Sequence, residues 1–507
     1  MRQHVRRAQP SAAFPFLSLL GLLLLLAPVF RGGNRPLPLL GLELLALGLV
    51  VLMVLYRHNP WSVLGRWERL AVGLLVAIPV ISLLPLPMAW WGALPGRAIY
   101  QEALGLFGAQ TGWHSLTVVP FASQASALAL LPPLAVFLAT LVCGDEDRKR
   151  LIYLFLAVAT IEAVLGLSQY GSREEFLLFG MDPGNNAKGT YPNYNHFAGL
   201  FEMAIPLAAA LFAANFGHKA QQHRRYHRRG LRAIFAKLGE TRINIAFLFI
   251  ALFMLFGLAA VFSRSRTGIA LLILSVLLLT LAFAPRLGGK QTLRTAAGLV
   301  TLLAGLSLAV GLVPVLQRFA DQDPLADARW SIASATLEGV GAFFPLGAGV
   351  GTYPEVFRSF HPGDVPKFVN NAHNDYLEWL FEGGLLAGIV ILLGLAVYVR
   401  RVLFVLQGDQ WRQDQYIKIG AAIGLLLILL HSFVDYNLHI PANAIYFAFL
   451  AGLLFAHREH WTDGKRAETQ QEEKPQSTPQ TASVPARQAA PLPPSNLPDN
   501  VPNPFAL

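Results

Sequence analysis

The segment Asn370-Asn371-Ala372-His373-Asn374-Asp375-Tyr376-Leu377-Glu378 gathers an imidazole, amides and carboxylates just before a long apolar run. His373 is a candidate general base, because an imidazole titrates near neutral pH and can take a proton from a sugar or other hydroxyl. Asn371 and Asn374 offer amide hydrogen bonds suited to a sugar. Asp375, Glu378 and Glu382 fall at i, i+3 and i+7, on one helical face, and offer an orienting or alternative carboxylate. A lone histidine in a loop is more often structural; these neighbours favour chemistry.

Arginines supply a second function. Ser263-Arg264-Ser265-Arg266-Thr267-Gly268 places two guanidinium groups in a short turn between apolar runs. Arginine's planar fork suits bidentate phosphate binding, and positive charge beside hydrocarbon needs a polar cavity or partner. Snorkelling to lipid headgroups is the competing reading. Arg329, beside Asp327, reads on local evidence as a surface ion pair, and its case for chemistry rests on its neighbours.

Two further elements mix amides and aromatics. Gly189-Thr190-Tyr191-Pro192-Asn193-Tyr194-Asn195-His196 suits carbohydrate, with Asn193 and Asn195 as ligands, and equally suits an interfacial helix cap. His431-Ser432-Phe433-Val434-Asp435-Tyr436-Asn437 is similar, with His431 inside an apolar run. The sequence has no H-E-x-x-H, no paired cysteines and no Walker A. No metal ligand set or cofactor is expected, so leaving-group charge would fall to arginine. The single cysteine, Cys143, reads as structural.

These residues need a membrane frame to hold them. The 507 residues are 54% hydrophobic and 14% charged, with mean hydropathy +0.47. A globular domain carries roughly 25% charged residues, so an ordinary soluble protein is excluded. Twelve apolar runs are predicted to span: 12–30, 37–56, 70–86, 127–142, 151–167, 197–216, 243–262, 267–284, 296–312, 385–402, 419–434 and 442–455. The expected fold is an all-α integral membrane protein. The first run follows a basic N-terminus yet is long and without an A-x-A site, so it reads as an uncleaved anchor.

Basic residues crowd the even-numbered turns, including Arg57, Arg66, Arg69, Arg148-Lys149-Arg150 and Arg400-Arg401. The positive-inside rule then puts both termini in the cytoplasm and the odd-numbered turns outside. The basic segment 217–242 reads as topogenic and lipid-touching, so the net charge of +10 calls for no nucleic-acid partner. Outer segments run over about 87–124, where Trp90-Trp91 suggests an interfacial belt, 171–196, 263–266 and 313–384. The last is long enough to fold on itself. There Asp323-Pro324 reads as the N-terminus of a helix reaching Phe343, 347–351 as a flexible glycine turn, and a second helix starts near Ala372. The domain reading is a polytopic unit, 1–458, and a Pro/Gln/Ser/Thr/Ala-rich disordered cytoplasmic tail, 459–507.

With these motifs in place, the chain resembles the O-antigen ligase/polymerase superfamily of bacterial envelope glycan transferases. The resemblance rests on G-T-x-x-N-x-N-H-x-A at 189–198, S-R-S-R-T-G at 263–268, Arg329-Trp330 leading into P-L-G-A-G-V-G at 345–351, H-N-D-Y-L at 373–377 with Gly383-Gly384, and H-S-x-x-D at 431–435. The glycines after His373 run G-G-L-L-A-G, a loose register for the ligase signature. The resemblance implies a fold of about twelve helices and metal-independent glycan transfer from an undecaprenyl-diphosphate donor at the periplasmic face of the bacterial inner membrane. It implies His373 as base or acceptor-positioning residue, with Arg264, Arg266 and Arg329 on the diphosphate. The acceptor would be lipid A-core (an O-antigen ligase), a lipid-linked repeat (a polymerase) or a protein hydroxyl; ligase is the leading reading. A transporter of polyprenyl-linked sugars is the alternative from another class, and the polar clusters at span ends, without a sequence repeat, argue against it.

Overall fold

The computed structural model describes residues 13–108, 111–172, 186–220, 241–287, 328–407 and 411–456, with 297–298, 301 and 304–305. Thirteen helices frame it: α1 (Ala13–Leu26), α2 (Pro36–Leu55), α3 (Arg66–Ser82), α4 (Pro120–Ala129), α5 (Leu131–Val142), α6 (Asp145–Ser172), α7 (Tyr194–Ala220), α8 (Thr241–Phe262), α9 (Arg266–Leu287), α10 (Arg329–Phe343), α11 (Asp375–Leu406), α12 (Gln413–His431) and α13 (Pro441–Phe455). Shorter helices lie between them. So does one antiparallel strand pair, β1 (Pro85–Pro87) with β2 (Trp113–Ser115).

Among the described residues seven helical runs are long and apolar enough to cross a membrane, with Pro120–Val142 as one run, and three shorter ones are apolar. The chain is a multi-pass, all-α membrane protein. Eleven of the twelve predicted runs fall on these helices. The run 296–312 lies largely outside the described residues, as do Asp323-Pro324, most of 217–242 and the 459–507 tail. Three runs stop three or four residues short of expectation. The third run stops at Ser82, because Pro85 and Pro87 belong to the strand pair; the first stops at Leu26, before Pro28; the eleventh stops at His431. Only Trp90 of the tryptophan pair faces outward, since Trp91 is buried.

Proline opens α2, α4 and α13 at the first turn, where its missing N–H costs nothing. Asn374 caps α11, its side chain accepting from the Tyr376 and Leu377 amides. At the centre stands α7, with 89% of its spanning window buried. It packs most extensively on α12 and also on α8 and α9. Small residues allow the approach: a Cβ on Gly420 would sit 2.4 Å from the Ala210 Cβ. By contrast α11 lies at the periphery, packed on α3 and α10, with 17% of its window buried.

A second apolar core sits above the bundle. Ile332 and Phe343 of α10 meet Tyr353, Phe357 and Phe381. The expected glycine turn, 347–351, is docked here rather than loose. The Ala348 and Gly349 amides donate to the Phe381 and Glu382 carbonyls of α11, and the Leu385 amide donates to Pro345. Gly384, at φ 55° and ψ −140°, breaks α11 at that point. A Cβ there would lie 2.2 Å from the Pro345 carbonyl oxygen, so only glycine fits. Fully buried Arg97 fastens the same layer, donating to the Pro95, Leu116 and Gly347 carbonyls. Burial lowers its pKa to about 10.

Candidate functional site

Helix ends converge above α7 and α12. Beyond His431 the chain makes a turn in which the Val434 and Asp435 amides both donate to the His431 carbonyl, at 3.0 and 3.1 Å. Asp435 leaves that turn fully buried. Its Oδ2 accepts from Asn195 Nδ2 at 2.5 Å and lies 3.4 Å from Arg329 Nη2. Its Oδ1 accepts from the Tyr436 amide at 2.9 Å, with His373 Nδ1 at 3.4 Å and His196 Nε2 at 3.6 Å. Four separated segments therefore meet on one carboxylate.

Burial alone would raise the Asp435 pKa. The His196 and His373 imidazoles that face it outweigh burial and hold the group well below the usual carboxylate range. The hub is anionic and draws cations together. Tyr436 packs edge-on against both imidazoles, with ring centroids 4.7 Å from His196 and 5.0 Å from His373. Burial and the Asp435 charge push its hydroxyl pKa up to about 12, and the hydroxyl hydrogen-bonds to Asn193.

His373 precedes the α11 cap in a left-handed backbone conformation, φ 51°. Such a conformation costs a residue bearing a Cβ roughly 1–2 kcal/mol and is retained where surroundings or function over-determine it. Its Nδ1 is buried towards Asp435, while the side chain stays 30% exposed. The ring can thus present its other edge to a ligand. Arg329, the first residue of α10, is 31% exposed beside it.

The serine–arginine turn is built by capping. Ser263 Oγ accepts from the Ser265 amide, and Ser265 Oγ accepts from the Gly268 amide, opening α9. Arg264 also has a left-handed backbone, φ 60°, and both Arg264 and Arg266 are half-buried. Gly268 lies against α7, where a Cβ would come 2.7 Å from that of Ala198. Ala198 is one turn from Asn195, so the arginine turn shares the hub's end of the bundle.

The other expected site residues are engaged by the protein's own groups. Asn193 caps α7, its Oδ1 accepting from the Asn195 amide at 2.9 Å. Asn371 Nδ2 donates to Glu378 Oε1, and the Ala372 amide donates to Glu378 Oε2, at 2.9 and 2.7 Å. Asn374 Nδ2 donates to the Phe433 carbonyl. Asp375 accepts from Ser432 Oγ at 2.6 Å and the Leu438 amide at 3.2 Å, with His439 Nδ1 2.7 Å away. Glu382 accepts from the Tyr353 amide. The carboxylate face expected to orient a substrate thus spends its oxygens inside the protein. Asp375 and Glu378 tie α11 to the 431–439 segment, where Glu378 and Asp375 overcome burial and raise the His439 pKa to about 10.

Residues 250–392 match the O-antigen ligase family model, a segment holding Arg264, Arg266, Arg329 and His373. Over that segment the chain is similar to the O-antigen ligase family. No curated protein matches it. Lipid-linked glycans are the general substrate class of this family, and its members are ligases and polymerases of the glycosyltransferase kind. Asn195, His196 and Asp435 lie outside the matched segment, yet they complete the hub within it.

Sequence reasoning passed over Asp435 and His196 as site residues. Their signals were present in H-S-x-x-D and N-x-N-H, but only the packing of α7 on α12 shows that the two motifs meet.

Proposed function

We propose that the chain is a glycan transferase of the O-antigen ligase type, acting at the periplasmic face of the inner membrane. Its donor is an undecaprenyl-diphosphate-linked glycan, and its acceptor is a hydroxyl of lipid A-core. The observation that carries this reading is the buried Asp435 carboxylate 3.4 Å from His373 Nδ1, with Arg329 on the same carboxylate. A carboxylate behind an imidazole fixes the ring's tautomer and orientation and supports the imidazolium that forms on proton uptake, as in hydrolase triads.

In the proposed step the far edge of His373 takes the proton as the acceptor oxygen attacks the anomeric carbon. The new C–O bond forms while the bond to the diphosphate oxygen breaks, and the electron pair leaves with undecaprenyl diphosphate. Arg264, Arg266 and Arg329 offset the charge that develops there. Donors fixed in advance of the reaction stabilise such charge strongly in a site shielded from water. Displacement in line inverts the anomeric centre.

The test is reconstitution of the full chain in proteoliposomes with lipid-linked glycan and lipid A-core. His373→Ala is expected to lower transfer by roughly 100-fold or more, and Arg266→Ala by a comparable factor through lost leaving-group stabilisation. Undiminished transfer in both variants would remove the site, and a product that retains the donor's anomeric configuration by NMR would sink single displacement. Transfer to a lipid-linked repeat in place of lipid A-core would make the protein a polymerase.

A further inference from the structure

Below the hub, inside the bundle, lies an ionisable pair that the transfer step does not use. Glu202 Oε1 of α7 and His431 Nδ1 of α12 stand 2.8 Å apart, with side chains 3% and 1% exposed. Ionisable groups at such depth are costly and persist where they pair and serve a function. Both residues are coupled to the hub by the chain itself. His431 supplies the carbonyl that the Val434 and Asp435 amides share. Glu202 is seven residues, or two turns, along α7 from Asn195, which donates to Asp435, so one face of α7 grips the turn at two heights.

On its opposite side the same turn is held by α11. The Asp375 amide donates to the Ser432 carbonyl, and the Tyr376 hydroxyl donates to that of Leu429. Apolar packing between α7 and α12 tolerates small rotations, whereas a directed bond at the last turn of α12 sets its rotation and height. We infer that Glu202 and His431 are positioning residues, which set the 431–435 turn so that the Asp435 carboxylate sits against His373. This inference rests on the Asp435–His373 reading above.

Several charged or titratable groups surround these residues. Asp435 faces His196 from α7, Arg329 from α10, and His373 and Tyr436 from the flanking turns. Glu202 and His431 face each other and Asp435, and His431 also feels Arg329. Displacing Asp435 takes the negative charge away from the imidazole it faces. The acid limb of the pH–rate profile then moves to lower pH.

The experiment compares Glu202→Gln, His431→Asn, Asp435→Asn and the swap Glu202→His with His431→Glu, each as full chain in proteoliposomes. Initial rates are taken against pH and donor concentration and normalised to folded protein. Glu202→Gln and His431→Asn should lower kcat about tenfold or more with KM for the donor little changed, and shift the acid limb down by about one pH unit. Asp435→Asn should shift it at least as far, and the swap should recover both kcat and the limb. A loss explained by folded amount alone, with the limb unmoved in Glu202→Gln and His431→Asn but moved in Asp435→Asn, overturns the positioning role by itself. An unmoved limb in Asp435→Asn overturns it together with the dyad beneath it.

Discussion

Asp375 and Asp435 flank the same turn, yet they hold it in opposite ways. Around Asp375 the contacts are short: 2.6 Å from Ser432, 2.7 Å from His439 and 3.2 Å from the Leu438 amide. Around Asp435 the Asn195 and Tyr436 bonds are equally firm, while His373, His196 and Arg329 stop at 3.4 to 3.6 Å. The first network consumes its donors and acceptors within the chain. The second collects titratable groups at longer range around one carboxylate, and catalytic hydrogen bonds are often long until substrate is bound. Residue type does not separate a scaffold from a working site; the fate of each polar atom does.

That contrast breaks most visibly through turnover. Asp435→Ala should cost transfer roughly 100-fold or more, since the proposed base, His373, loses its orienting partner. Glu378→Gln should act mainly on stability, by about 1–3 kcal/mol, because one of its oxygens becomes a donor facing a donor. Initial rates per folded molecule, set beside melting curves in one detergent, compare the two. A turnover loss in Glu378→Gln as deep as in Asp435→Ala would merge the networks into one.

A smaller effect lies in the pH dependence of stability. His439 keeps its proton to about pH 10 in the folded chain, against an ordinary value of about 6.5 when unfolded. A raised folded pKa contributes stability that is fully present below about pH 6.5 and lost as pH rises through about 10. The melting temperature should therefore fall across that window, and His439→Gln should flatten the fall. An equally steep fall in the variant would place the titrating group elsewhere.

The smallest expected change sharpens the scaffold side. Asn374→Ala removes the α11 cap and should lower stability by about 1 kcal/mol. Turnover of the molecules that remain folded should drop far less than in Asp435→Ala.

Much of this was legible in the sequence. The apolar runs gave the helices because a spanning segment has a length and composition nothing else imitates. His373 and the arginines stood out because charge at a span end is expensive. Glu378 and Asp375 were harder, since their spacing shows a shared face but not what that face touches. Asp435 and His196 were hidden for another reason: 240 residues separate Asn195 from Asp435, and motif order carries no information on which helices pack together. The docked glycine segment had the composition of a flexible turn. Only the proximity of the Phe381 and Glu382 carbonyls shows it to be fixed.

The break at Gly384 bears on how the bilayer acts on this protein. Residues 385–406 of α11 lie among the most exposed parts of the bundle, with Leu385, Leu392 and Leu403 turned outward. A continuous helix would carry any tilt imposed by membrane thickness along its axis to the residue before its cap, His373. At Gly384 the axis is interrupted, and the carbonyls freed there are held by Ala348 and Gly349. The stub that carries His373 is therefore referenced to the loop layer, and the bilayer can lean on the rest of α11 without turning the imidazole.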